Sequence, residues 1–165
     1  VINVDTNRNV QGLKTFPGLE HRLEYIASID GLKYYNDSKA TNPNSTIKAL
    51  EAFGNQKIVL IAGGKDKHTS LSEMVECVKR HASDVILLGE AKDRFNRAFS
   101  EADFRNVHLA GSLEEALDLA VSLGRGPVVL SPACASFDRF KDFEERGRVF
   151  KNLVRTRSEK MANSR

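Results

Sequence analysis

Four short apolar runs, Lys57 to Ala62, Asp84 to Leu88, Val107 to Leu109 and Pro127 to Leu130, alternate with stretches whose apolar residues recur every three or four positions. This alternation predicts a mostly parallel sheet with helices on both faces, because parallel strands are joined by crossovers and each helix has one apolar stripe to bury. Lys57 to Ala62 is continuously apolar, as expected of a strand covered on both sides. Pro127 opens its run, where a missing N–H is tolerated. Between the runs, Ile47, Leu50 and Phe53 mark a helix face that starts at Asn42-Pro43 and stops at Gly54. Leu71, Met74, Val75, Val78 and Ala82 mark a second face, with Ser70 and Glu73 as its capping box. A helix is expected over Lys92 to Phe99. Another follows Ser112, with Glu115 completing a capping box and Leu113, Ala116, Leu117, Ala120 and Val121 on one face.

The two ends of the chain differ from this pattern. Leu23, Tyr25, Ala27 and Ile29 share one side at period two, Asp30-Gly31 is a hairpin signal, and Leu32 to Tyr35 returns as a partner. An antiparallel hairpin is therefore expected ahead of the βα units. Phe137, Phe140, Phe143, Gly147, Phe150 and Val154 trace a long last helix, with Ser136 as its cap and fraying expected after Arg155. Asp138, Asp142, Glu144 and Glu145 alternate there with Arg139, Lys141, Arg146 and Arg148, and read as a solvated face. Residues 1–20 are polar, with a short helix over Val10 to Thr15, and read as a tail or linker ending near Leu19 to His21.

At 165 residues the chain is long enough for one domain with a sizeable core. A net charge of +3, without a basic stripe or a stacking platform, argues against a nucleic-acid partner. Cys77 and Cys134 are too few for a disulfide framework, and with no signal peptide they fit a reducing cytoplasm. No apolar run approaches the roughly 20 residues of a membrane span. The chain opens on Val1 without a methionine and reads as a fragment or an excised domain.

Three strand ends carry the chemistry. Tyr35-Asn36-Asp37-Ser38-Lys39-Ala40-Thr41-Asn42-Pro43 leaves one strand and enters a helix, setting an ammonium and a hydroxyl beside free N–H groups. Gly63-Gly64-Lys65-Asp66-Lys67 leaves a second strand and matches neither GxxxxGK[ST] nor GxGxxG. Ser131-Pro132-Ala133-Cys134-Ala135-Ser136 leaves a third. Together they describe an anion-binding crevice at the carboxyl ends of an open sheet. Taken singly, each also reads as an ordinary turn: an Asx turn with solvated neighbours, a glycine turn with surface lysines, a small-residue connection. Cys134 has no histidine paired with it in sequence and reads as a buried thiol. The four histidines lack metal spacing.

These segments, with Gly18-Leu19-Glu20-His21-Arg22 before them and Phe143-Glu144-Glu145-Arg146-Gly147 after, resemble the Mur ligases, in the branch that adds D-glutamate to UDP-N-acetylmuramoyl-L-alanine. The resemblance runs in order over about residues 17 to 154, and the Asp-Asn-Pro-Arg signature of the diamino-acid branch is absent. It implies a Rossmann-like α/β domain, a three-layer sandwich with an antiparallel strand at its start. Residues 1–19 would be the tail of a preceding central ATPase domain and its linker, and residues 20–165 the C-terminal domain. The missing N-terminal and central domains would be its partners in a monomeric cytoplasmic enzyme of peptidoglycan synthesis, using ATP and Mg2+. The fragment alone would be inactive.

The same resemblance implies the site. Lys39, Thr41, Lys67, Ser136 and Phe143 would hold D-glutamate, Lys39 and Lys67 also serving catalysis. Asp37 would accept from the ATP ribose with Asn36 in support, Arg22 would reach the γ-phosphate, and His21 would serve the second magnesium site. An acyl phosphate on the L-alanine carboxylate would be attacked by the D-glutamate amine. Two other readings remain at this stage: a folylpolyglutamate synthetase-like ligase taking L-glutamate, and a non-catalytic Rossmann-like module that binds carboxylates.

Overall fold

The computed structural model describes residues 18–163; the helix expected over Val10 to Thr15 lies outside the described residues, as does most of segment 1–19. The chain order is β1 (Glu24–Ile29), β2 (Leu32–Asn36), α1 (Pro43–Glu51), β3 (Ile58–Gly63), α2 (Ser72–His81), β4 (Ala82–Leu88), α3 (Lys92–Glu101), β5 (Val107–Leu109), α4 (Leu113–Leu123), β6 (Val128–Leu130) and α5 (Phe143–Ala162). The six strands form one sheet in the order β1-β2-β6-β3-β4-β5. Only β1–β2 is antiparallel; β2–β6, β6–β3, β3–β4 and β4–β5 are parallel.

Alternation along β3 divides the core. Ile58, Leu60 and Ala62 pack with Leu50, Met74, Val78, Phe95 and Phe99, from α1, α2 and α3. Val59 and Ile61 point the other way, to Leu113, Leu117, Phe150 and Val154 of α4 and α5. The result is the expected three-layer α/β sandwich, with β3 buried along its whole length.

Local chemistry explains the boundaries. Asp30 and Gly31 both take positive φ, 49° and 80°, as the tight β1–β2 turn requires. Asn42 caps α1 by accepting the Ser45 N–H, and Ser112 caps α4 by accepting that of Glu115.

Four local expectations change. The register of β1 against β2 shifts between Tyr25 and Ala27, so Tyr25 ends up exposed while Ile29 is buried. A bulge reverses the phase of a period-two pattern. The Ser70–Glu73 capping box does not form: Leu71 holds the cap position of α2 without a side-chain bond, and Ser70 Oγ faces Ser72 Oγ at 3.5 Å. The last helix begins at Phe143, capped by Asp142 Oδ1, which accepts the Glu145 N–H at 2.7 Å. Ser136 instead closes a turn, its carbonyl accepting from the Arg139 and Phe140 N–H groups. The same helix continues past Arg155 to Ala162. No described helix is long and apolar enough to cross a membrane.

Candidate active site

The strand order sets the site. β6 lies between β2 and β3, so the loops leaving these three parallel strands share one edge of the sheet. Backbone bonds lace them together. The Asp37 N–H donates to Leu130 O at 2.8 Å, Gly63 N–H to Pro132 O at 2.8 Å, and Lys65 N–H to Ala135 O at 2.9 Å. The glycine turn depends on its missing side chains: a Cβ on Gly63 would come within 2.0 Å of Leu88 O, and one on Gly64 within 2.4 Å of Ala135 O.

Beside this edge lies a cleft of about 570 Å³, lined by Arg22, Asp37, Lys39, Thr41, Ser45, Lys48 and Phe143 among others. The Lys39 ammonium stands 5.3 Å from the centre of the Phe143 ring. Lys67 does not line the cleft, but its Nζ donates to Thr41 O at 3.2 Å, joining the glycine turn to the rim. The structure therefore brings Lys39, Thr41, Lys67 and Phe143 to one place. Ser136 is buried and does not line the cleft.

Asp37 is a buried carboxyl at the end of β2. Its Oδ2 accepts the Ser131 hydroxyl at 2.7 Å and its Oδ1 the Leu23 N–H at 3.3 Å. Burial pushes its pKa up to about 6, against the pull of these two bonds and of the Arg22 charge. Asn36 is fully buried and works on its neighbours: its Oδ1 accepts the Ser38 N–H at 3.1 Å.

That bond fixes the Asn36 amide, and the amide fixes His21. Asn36 Nδ2 faces His21 Nδ1 at 2.9 Å, Glu24 Oε2 at 3.2 Å and Gly147 O at 3.5 Å. The network assigns Nδ1 as acceptor and the proton to Nε2. His21 is also the residue expected beside magnesium. Glu20, His21 and Glu24 bring potential metal donors within 4.8 Å of one another. Yet Lys151 Nζ already holds Glu20 Oε1 at 2.9 Å and Glu24 Oε1 at 2.6 Å, and a protonated Nε2 has no lone pair to offer. These residues do not fit a direct magnesium ligand set. His21 supports the site through its backbone instead, its carbonyl accepting the Lys39 N–H at 3.1 Å. Gly147 makes room for it, since a Cβ there would come within 2.2 Å of His21 Nδ1.

Arg146 corrects the sequence reading most. Far from being solvated, it is buried, and its guanidinium spans two loops. It donates to Ser38 Oγ at 2.9 Å and Ser38 O at 2.8 Å on one side, and to Cys134 O at 3.1 Å and Ala135 O at 3.2 Å on the other. Burial lowers its pKa to about 10, which leaves it cationic at neutral pH. A signal existed: Arg146 lies three residues after Phe143 and four before Phe150, on the apolar side of α5. Cys134 contributes its carbonyl to this hub while its thiol is buried and pushed up to about 12, an inert state for a nucleophile.

One carboxylate and the cations Arg22, Lys39 and Lys48 around a single cleft suit a ligand carrying hydroxyls and several negative charges. A nucleotide and a dicarboxylic amino acid both answer that description.

The family model for "Mur ligase, glutamate ligase domain" matches residues 21–134. The UDP-N-acetylmuramoylalanine--D-glutamate ligase of Pelotomaculum thermopropionicum is 44% identical over 155 residues, covering 93% of this chain and 34% of that protein. That of Bdellovibrio bacteriovorus is 47% identical over 145 residues, covering 87% and 31%. The chain thus spans about a third of the length of these relatives. Among solved structures, Mycobacterium tuberculosis folylpolyglutamate synthase complexed with ADP superposes with a TM-score of 0.60 at 14% identity, covering 82% of this chain and 32% of that one. Thermotoga maritima UDP-N-acetylmuramate-alanine ligase superposes at 0.61 and 17%, covering 93% and 34%. These two share its fold. By the family match and the identity to the two D-glutamate ligases, the chain belongs to the Mur ligase family.

Proposed function

We propose that this chain is the amino-acid-delivering domain of an ATP-dependent ligase that joins D-glutamate to UDP-N-acetylmuramoyl-L-alanine in cytoplasmic peptidoglycan synthesis. The observation that carries the reading is the convergence of Lys39, Thr41, Lys67 and Phe143 at one sheet edge, in a chain sharing 44% and 47% identity with two D-glutamate ligases. Residues 1–19 are the end of a central ATP-binding domain and its linker, and residues 20–165 form the domain that closes on it.

The residues divide by chemistry. Lys39 and Lys67 offer ammonium groups to the two carboxylates of D-glutamate, and Thr41 offers a hydroxyl. Phe143 walls the pocket and turns its face to the Lys39 ammonium. Holding both carboxylates orients the amine, which converts an encounter into a directed attack. Asp37, ionised, accepts from the ATP ribose, Asn36 holds the loop that carries it, and Arg22 faces the γ-phosphate, where charge shifts during transfer. ATP and Mg2+ are supplied with the central domain. The ATP γ-phosphoryl group passes to the L-alanine carboxylate, giving ADP and an acyl phosphate. The D-glutamate nitrogen then bonds to that carbonyl carbon, loses a proton, and inorganic phosphate leaves.

The test is phosphate release by the full-length enzyme with ATP, Mg2+, UDP-N-acetylmuramoyl-L-alanine and a panel of amino acids. Release should require D-glutamate. Lys39→Ala should raise KM for D-glutamate far more than KM for the UDP substrate. Release driven by L-glutamate in place of D-glutamate overturns the substrate, and an unchanged response of Lys39→Ala overturns the assignment of that lysine.

A further inference from the structure

The strand end of β4 carries none of these roles. It leads through Gly89, Glu90 and Ala91 into α3, whose first turn carries Arg94. Arg94 turns back to the glycine turn after β3. Its Nε donates to Asp66 Oδ2 and its Nη2 to Asp66 Oδ1, both at 2.7 Å, a two-pronged pairing. Its Nη1 donates to Thr69 O at 3.2 Å. The Asp66 side chain is only 7% exposed and also accepts the His68 N–H at 2.9 Å. The Arg94 guanidinium rests 5.4 Å from the centre of the Phe95 ring, which is part of the core. Lys67 lies between the two points that Arg94 grips, and its ammonium reaches Thr41 O across the cleft rim.

We propose that Arg94 is a positioning residue for Lys67: by clamping Asp66 and Thr69 on either side of it, Arg94 fixes the segment that delivers the Lys67 ammonium beside Thr41, and so sets the affinity for a carboxylate of the incoming amino acid. The proposal rests on the D-glutamate reading above. The Arg94 donors are turned to Asp66 and Thr69 and the residue stands outside the cleft lining, so its effect passes through the turn. Exposed ion pairs usually contribute little. This one differs because one partner is buried, the geometry is bidentate, and both gripped points flank a residue whose placement matters to within about 1 Å.

In the full-length enzyme, Arg94→Ala and Asp66→Asn should each raise KM for D-glutamate by about 10–100-fold, with KM for ATP and for the UDP substrate little changed. The double variant should be no worse than either single one, since both remove the same clamp. Arg94→Lys keeps the charge but loses the fork, and should fall between wild type and Arg94→Ala. This variant also carries the test if Arg94→Ala fails to fold. Equal rises in all three KM values, or an unchanged KM for D-glutamate, overturn the proposal. Hydrogen exchange over residues 65–70, read on the same proteins, separates the two ways of failing. Lost protection in Arg94→Ala, with a wild type indifferent to D-glutamate, overturns the ligase reading and keeps the clamp. Unchanged protection overturns the clamp.

Discussion

Ser131 donates its hydroxyl proton to Asp37 Oδ2 at 2.7 Å, joining the end of β6 to the end of β2 inside the site. Thr46 Oγ1 donates in turn to Ser131 O at 3.2 Å, so the serine is held from α1 as well. Burial raises Asp37 to about 6, and the Ser131 bond opposes it. A carboxyl raised above its unfolded value stabilises the fold most below that value, near 3.8, and this contribution is lost as pH climbs through 6. The loss amounts to something on the order of 3 kcal/mol. With Asp37 as the proposed acceptor for the ATP ribose, the ionised form is the binding form, so nucleotide affinity should fall below pH 6 while the fold itself gains. Ser131→Ala should move Asp37, and the acid limb of the KM for ATP, to higher pH. Carbon-detected titration of the Asp37 carboxyl checks both; a wild-type midpoint near 4 contradicts the burial.

Arg146 should behave as a structural and functional hub at once. Arg146→Ala leaves the Ser38 and Cys134 carbonyls without their donor, and is expected to cost about 3 kcal/mol. Arg146→Lys puts all its donors on one atom and cannot span both loops, so it should keep the fold better than the activity. Urea denaturation and phosphate release, measured together, separate the two effects. An Arg146→Lys enzyme of wild-type activity would show that the loops hold each other without the fork.

Cys134 should be chemically silent. Its thiol is buried and held near 12, so little thiolate forms at neutral pH. Cys134→Ala should lose about 1 kcal/mol of packing and retain substantial activity, because the group used at this position is the carbonyl. The native protein should resist thiol reagents until it is denatured. Complete loss of activity in a folded Cys134→Ala protein would restore the nucleophile.

Tyr34 makes a separate test of the core. Its hydroxyl is buried without a hydrogen-bond partner among the described residues, and burial lifts its pKa to about 12. Removing an unsatisfied polar atom without changing shape is neutral or favourable. Tyr34→Phe should therefore match or exceed wild-type stability, by up to about 1 kcal/mol in urea denaturation. A clear loss would mean the hydroxyl has a water or chain partner.

The elements were legible where local chemistry decides them. Lys57 to Ala62 is too apolar to be anything but a covered strand, Asp30-Gly31 sets its own turn, and Asn42 and Ser112 cap helices whose next residues agree. The facing of Tyr25 is not legible in β1, because it depends on pairing with Tyr35 across the bulge, which β2 imposes. Ser136 and Asp142 are both sound caps by residue type, and the turn closed by Arg139 and Phe140 decides between them. In the site, Lys39, Thr41 and Asp37 are readable because they sit in one short segment. Arg146 and Arg94 are not, since their value lies in Ser38, 108 residues away, and in Asp66, 28 residues away.

The placement of β6 bears on how the protein is made. A nascent chain that has emerged only to residue 127 holds a β1–β2 ribbon and a β3–β4–β5 half-sheet, each with a raw edge where β6 belongs. Neither piece alone carries both Lys39 and Lys67. The last strand is a keystone: it pairs with both edges and so sets the turn that carries Lys67 beside the segment that carries Lys39. A chain cut short of β6 would leave both of those edges unpaired, the kind of surface on which chaperones and proteases act.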